Sequence, residues 1–164
     1  ELINKIKDRD HVIGLHPSYD AYNDSGQFRK EKEKLENTTG QEITEGRGHY
    51  LRFEVPVTWQ IWENSGMKID STCGYADKEG FRCGTGQEYS VFNILTREKL
   101  KLKERPLLLM DTSLFGYQQL DQDIIRNLVT KLSLHTNMFT VLWHNTQIQH
   151  MNDYEKLLSI LYKS

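Results

Sequence analysis

A chain of 164 residues has room for one domain with a hydrophobic core, and with 37% hydrophobic and 27% charged residues it has the composition of an ordinary globular protein. Its 21 basic and 23 acidic residues leave a formal charge of −2, which builds no field to gather nucleic acid. No apolar run approaches the roughly 18–20 residues that span a bilayer, so neither nucleic-acid binding nor a membrane segment is expected of these residues.

The opening stretch, LINKIKDRD, puts Leu2, Ile3 and Ile6 at helical spacing and reads as the end of a helix. Because the chain begins at Glu1 rather than Met, it is expected to be cut from something longer. Residues 11–15 form a short apolar strand that runs into His16 and Pro17, and 17–25 have turn composition. A charged helix follows over 27–37, stopped near Gly40. Residues 43–52 hold another short strand and the irregular EGRGHYLRF, then comes a helix through Thr58, Trp59, Ile61 and Trp62 to Gly66, then a strand over 67–70.

Residues 71–86, rich in Gly, Thr and Asp with Tyr75 and Phe81 inside, read as a long functional loop. The loop carries both cysteines, Cys73 and Cys83, in no C-x-x-C spacing, and two free thiols are the expectation over a disulfide because nothing else marks a stapled secreted domain. Residues 89–95 and 107–111 are extended candidates, 120–134 a helix with Leu120, Ile124, Leu128 and Leu132 on one stripe, 139–143 a last strand ending on His144, and 154–162 a closing amphipathic helix. Strands alternating with helices predict an α/β fold with parallel strands, taken as one domain over 1–164.

In such folds chemistry gathers beyond the C-terminal ends of the strands. His16, Arg47, His49, Asp70, Asp111 and His144 all fall there and are expected to share a rim, whereas His11, His135 and His150 lack that placement. A neutral imidazole at His16 binds a divalent metal or simply hydrogen-bonds at a strand end. Arg47 and His49 alternate, so an extended backbone would point both to one face, for gripping a carboxylate and binding a metal, or as a surface arginine beside a half-buried histidine. Asp70 serves a site or caps a turn before Ser71 and Thr72, and His144, restrained beside Trp143, is suited to protonating a leaving amine or is structural. A phosphate-binding G-x-x-x-x-G-K-[ST], a G-x-S-x-G elbow and an H-E-x-x-H pair are missing from the sequence, and GTG at 84–86 is too short for a dinucleotide fingerprint.

The order of motifs resembles the polysaccharide deacetylase family, metal-dependent carbohydrate esterases on a distorted (β/α) barrel. DHVIGLHPS is similar to the second motif, which supplies a metal-binding histidine, here His16. RGHYL stands in the place of the third, whose arginine orients the catalytic carboxylate, here Arg47; IDST with Asp70 sits where the fourth lies; and LWH is similar to the fifth, making His144 the counterpart of the catalytic acid. RGHYLRF, DSTCGYAD, GFRCGTG and LWHN resemble a bacterial subgroup associated with surface polysaccharides, and the likeness runs from about residue 8 to 162. Two departures stand out. The usual second motif has another histidine where this chain has Asp20, so Asp20 or, preferably, His49 completes the metal set; and the aspartate-bearing first motif, which gives the catalytic base, is missing and would precede Glu1.

The resemblance therefore implies an incomplete (β/α)7-type barrel and a hydrolase that removes N-acetyl groups from a bacterial surface polysaccharide with a divalent metal, zinc by preference. His144, Arg47 and Asp70 would be catalytic, His16 and His49 or Asp20 metal ligands, and Tyr50, Tyr19, Trp143 and Arg82 substrate contacts. Without the opening strand the chain alone is expected to be nearly inactive, and its open barrel edge to invite association with another chain. The alternative is a non-catalytic carbohydrate-binding protein, with Tyr19, Tyr50, Tyr75, Phe81 and Trp143 stacking on sugar rings.

Overall fold

The computed structural model describes residues 2–147 and 151–162. They form two compact units, Glu1–Thr72 with Tyr89–Glu104, and Cys73–Glu88 with Arg105–Ser164.

The first unit starts with α1 (Leu2–Lys7), which buries no residue. Leu15 then makes a single parallel bridge to Gly46, where a full strand over 11–15 was expected. Helix α2 (Ser25–Thr39) is set by its caps: the Asp24 carboxylate accepts the N–H groups of Gly26 and Gln27 at 2.8 and 2.9 Å, and Gly40, at φ 66°, returns its own N–H to the Glu36 carbonyl. Most of its charged run faces solvent, but Lys32 is buried and pairs with Glu36 at 2.5 Å. Helix α3 (Val57–Asn64) buries Thr58, Trp59, Ile61 and Trp62 and stops before Gly66 at φ 78°.

The sheet of this unit has β1 (Glu45–Gly46), β2 (Ile69–Asp70), β3 (Tyr89–Asn93) and β4 (Glu98–Glu104), in the order β1-β2-β4-β3. The β1–β2 and β2–β4 pairs are parallel and β3–β4 antiparallel. Strand β4, EKLKLKE, is an element the sequence reading leaves out. Charge dominates its composition, yet Leu100 and Leu102 point inward and the intervening lysines outward, which is the period-two signature of a half-buried strand. Leu15, Phe28, Ile43, Trp62, Met67, Val91 and Leu102 meet in one core, each large side chain contributing about 1.5–3 kcal/mol by leaving water.

In the second unit β5 (Leu109–Met110) and β6 (Val141–Leu142) pair in parallel, Leu109 with Val141 and Met110 with Leu142. Residues 73–88 carry no helix or strand, as expected of a loop, and are tied to this unit by the Leu107 N–H donating to the Cys73 carbonyl and the Gly80 N–H donating to that of Leu108. Cys73 and Cys83 are both thiols. A π-helical turn (Thr112–Tyr117) leads to α4 (Gln122–Ser133), capped by Asp121, and α5 (Met151–Leu161) supplies Leu157 to the core of Leu109, Leu114, Ile125 and Val129. On α4, Leu120, Leu128 and Leu132 of the predicted stripe pack against this core, while Ile124 is 47% exposed and Ile125 and Val129 lie innermost. Polar Gln122 and Arg126 flank the innermost pair, so spacing alone leaves two adjacent apolar stripes, and packing against Leu114 and Leu157 sets which lies deeper.

Both units are α/β with parallel strands, as the sequence implies, and neither sheet closes into a barrel among the described residues. No described helix is long and apolar enough to cross a membrane.

Candidate functional site

Parallel pairing brings residues that follow successive strands to one edge. In the first unit the bridge of Leu15 to Gly46 and the register of Gly46 with Asp70 align His16, Arg47 and Ser71 in a row. The row is hydrogen-bonded: His16 Nδ1 lies 2.8 Å from the Arg47 carbonyl, and Arg47 Nε donates to the Ser71 carbonyl at 2.8 Å. A carbonyl only accepts, so Nδ1 of His16 carries a proton and the lone pair of a neutral ring lies on Nε2. That Nε2 is 2.9 Å from Nδ1 of His49, with the rings edge-to-face at a centroid distance of 4.9 Å.

His49 reaches this position in a way the alternation argument misses. Residues His49–Leu51 form a 3-10 turn, not an extended segment, with Tyr50 at φ 55° and Leu51 at φ 52°. Two consecutive non-glycine residues in the left-handed region cost about 1 kcal/mol or more each, so the turn needs outside support. Tyr50 is left 79% exposed, its ring 4.6 Å from that of His49 and 5.9 Å from that of Tyr19, itself 49% exposed. Asp20 does not join the imidazoles: its Oδ1 accepts from Arg52 at 3.1 Å, and the Arg52 guanidinium is stacked between Tyr19 and Tyr22, 4.0 and 3.9 Å from the ring centroids.

Asp70 is fully buried. Its Oδ1 accepts the N–H of Thr72 at 3.0 Å and the Thr72 hydroxyl, while Oδ2 has no hydrogen-bond partner among the described residues; the buried indole N–H of Trp59 lies close by without reaching hydrogen-bond geometry. Burial pushes this carboxyl up to about 6, against the opposing pull of Thr72 and the Arg47 charge. Between pH 4 and 6 the folded chain therefore binds a proton that the unfolded chain has lost, so stability falls as pH rises through this window and levels off above it. The expected loss is on the order of 3 kcal/mol at 1.36 kcal/mol per pKa unit. Glu36, held below the usual carboxylate range by the Ile43 N–H and by Lys32, acts in the opposite sense below that window. Denaturant unfolding from pH 4 to 7 should show the fall in the wild type and not in Asp70→Asn; equal slopes would remove Asp70 as its source.

In the second unit β5 ends at Asp111 and β6 is followed by Trp143 and His144. Asp111, 1% exposed, holds His144 twice: Oδ2 accepts the His144 backbone N–H at 2.7 Å and Oδ1 lies 2.7 Å from Nδ1. The imidazole is thereby fixed with Nδ1 protonated and Nε2 outward, on a side chain 41% exposed. Asp111 stands at the predicted rim but the sequence reading gives it no role; its signal is an acid closing the apolar run LLLMD opposite a strand that ends in histidine. Trp143 packs into the core with Phe115 and Tyr154, at centroid distances of 5.7 and 5.0 Å, and Arg82 donates to the Gly74 carbonyl at 2.8 Å. His11 is exposed, His135 sets its ring edge-to-face on Phe81 at 6.4 Å, and His150 lies outside the described residues.

The sequence-predicted residues thus fall into two groups: His16, Arg47, His49 and Asp70 with Tyr19 and Tyr50 in one unit, Asp111 and His144 with Trp143 and Arg82 in the other. With His16 Nε2 accepting, His49 Nδ1 donates in this contact, so His16 and His49 fit as a donor set for a cation once the His49 proton moves to its own Nε2. Two ligands about 2.0–2.1 Å from one zinc lie within about 4 Å of each other, a condition the 2.9 Å separation meets, and the bond from His16 Nδ1 to a backbone carbonyl is the kind that orients a ligating imidazole. They supply half a tetrahedral shell: no cluster of three or more His, Cys, Asp or Glu suited to a metal occurs among the described residues.

No protein-family model matches the sequence, and no curated protein matches it. Among solved structures the chain is similar to the crystal structure of a "putative polysaccharide deacetylase" from Mycobacterium smegmatis, with a TM-score of 0.57 and 18% identity over 86% of this chain and 51% of that one. The chain spans about half the length of that protein, and at this identity the likeness is one of fold, an α/β arrangement with parallel strands.

Proposed function

We propose that this chain belongs to a metal-dependent hydrolase that removes N-acetyl groups from a bacterial surface polysaccharide, on the scaffold of an incomplete (β/α)7-type barrel. The observation that carries the reading is the convergence of the His16 and His49 nitrogens at the C-terminal edge of parallel strands, supported by the fold likeness to a deacetylase. His16 and His49 would hold the cation, zinc by preference, and the engagement of Asp20 with Arg52 favours His49 over Asp20. When bound, such a cation lowers the pKa of a coordinated water and polarises the acetyl carbonyl.

The remaining roles belong to the chain's own groups. His144 would give the departing amine its proton from Nε2 as the imidazolium, returning to the Nδ1–H form that Asp111 keeps oriented. Arg47 holds the strand ends in register through Ser71, and Asp70, being buried, acts through its neighbours rather than on substrate. Tyr19 and Tyr50, both exposed, offer ring faces to a sugar.

The test is acetate release from N-acetylated oligosaccharides by the protein in its longest natural form, after metal removal and again with added zinc. Acetate that appears only with the metal is the expected result, and none in either condition sinks the enzymatic reading. The lack of a third ligand among the described residues favours one rival, a carbohydrate-binding protein. That rival predicts saturable oligosaccharide binding unaffected by chelator, without acetate.

A further inference from the structure

We infer that Thr72, held in place by Asp70, is the positioning residue that sets His49 against His16. The inference rests on the proposed cation site only for its zinc readout. Thr72 is 1% exposed, and its hydroxyl has one proton to give and lone pairs to accept with. The proton goes to Asp70 Oδ1, which also takes the Thr72 N–H, so both side chains are locked in one geometry. The lone pair that remains accepts the backbone N–H of Gly48 at 2.8 Å.

Gly48 is the residue before His49 and opens the left-handed turn. No side chain of the turn itself caps that start, and the closing bonds, Leu51 N–H to the Gly48 carbonyl and Arg52 N–H to that of His49, bind the turn only to itself. Thr72 is what ties its N-terminus to β2. The approach is close enough that a Cβ on residue 48 would sit 2.8 Å from the Arg52 carbonyl oxygen and 3.2 Å from the Thr72 methyl, so a glycine here and a threonine there are complementary. The segment from Arg47 to His49 is then gripped at three points: the Arg47 N–H donates to the Leu15 carbonyl, the Arg47 carbonyl accepts from His16, and Gly48 donates to Thr72. With those fixed, the His49 backbone is held where its ring meets His16 on one side and Tyr50 on the other. Asp70 becomes the deeper support of the same device, which explains a buried carboxylate beside a site it cannot touch.

The experiment compares Thr72→Val and Thr72→Ser with the wild type in the full chain. It follows amide hydrogen exchange of Gly48, the side-chain nitrogen signals of His49, and zinc affinity by calorimetry. Valine keeps the shape and removes the hydroxyl: Gly48 exchange should accelerate at least about tenfold, the His49 signals should shift, and zinc affinity should fall about 10–100-fold, the usual cost of losing an outer partner of a ligand. Serine should restore all three to within about twofold of the wild type. Wild-type values in the valine variant overturn the inference, as does a serine variant that behaves like valine. Should valine prevent folding, the wild type decides together with serine, because a Gly48 amide that exchanges freely in the wild type rules the anchor out. A wild type that binds no zinc, with Gly48 and His49 still responding to Thr72→Val, overturns the cation site and leaves the positioning role supported.

Discussion

In the longest natural form of the protein, and on the proposed deacetylase reading, His16→Ala is expected to abolish zinc-dependent acetate release while leaving the fold intact. The side chain is exposed, so its removal opens no cavity, and its bond to the Arg47 carbonyl is replaceable by water at a cost of about 1 kcal/mol. The functional loss is far larger. Of the two nitrogens that converge, His16 Nε2 is the one whose lone pair is aimed by a bond on the other side of the ring; without it His49 Nδ1 stands alone. Zinc affinity should fall by at least about 100-fold and turnover by roughly 10³-fold or more, the kinetic equivalent of losing the several kcal/mol a Lewis acid supplies. Calorimetry with zinc, an acetate assay and near-ultraviolet circular dichroism on one preparation read the three consequences together. Wild-type acetate release from a folded His16→Ala protein would refute the assignment.

The same two histidines mark how far the sequence could be read. His16 was legible because its environment is local: an apolar run ends on it and Pro17 turns the chain away. His49 is a candidate in the sequence through an alternation that the structure does not use, since the turn that carries it has two left-handed residues and is held from Thr72 through Gly48. No periodicity in RGHYLR records that support. Strand β4 shows the complementary failure, a local pattern present but masked by charge, and β1, β2, β5 and β6 are two residues each, too short for alternation to declare itself. The helices are legible from spacing and from Gly40 at the end of α2, but their starts are set by the caps Asp24 and Asp121, at Ser25 and Gln122 rather than at 27 and 120. On α4 the stripe is legible in Leu120, Leu128 and Leu132, whereas the choice of Ile125 and Val129 over Ile124 for the deepest positions is made by Leu114 and Leu157 from other elements.

Asp111→Asn is expected to lower turnover by about 10²–10⁴-fold with little change in KM, because it alters the state of His144 rather than any contact with substrate. The carboxylate oxygens face four donors: Oδ2 takes the His144 N–H, and Oδ1 takes the Thr112 N–H, the Thr112 hydroxyl and His144 Nδ1. An amide has one acceptor and one donor end. With its NH2 on the Oδ2 side it confronts the His144 N–H; turned over, it confronts the Thr112 N–H and forces His144 to carry its proton on Nε2 instead of Nδ1. Either way one buried N–H faces a donor, at a cost of about 1–3 kcal/mol in stability. In one orientation the His144 backbone loses its acceptor and in the other the tautomer of the ring is reversed, so neither keeps the two-point hold that presents Nε2 to a leaving amine. Nitrogen-detected spectra of His144 distinguish the two tautomers, and kcat and KM measured separately distinguish a mispositioned acid from a weakened binding site. A variant that keeps its kcat would show that Asp111 serves only to tie β5 to β6.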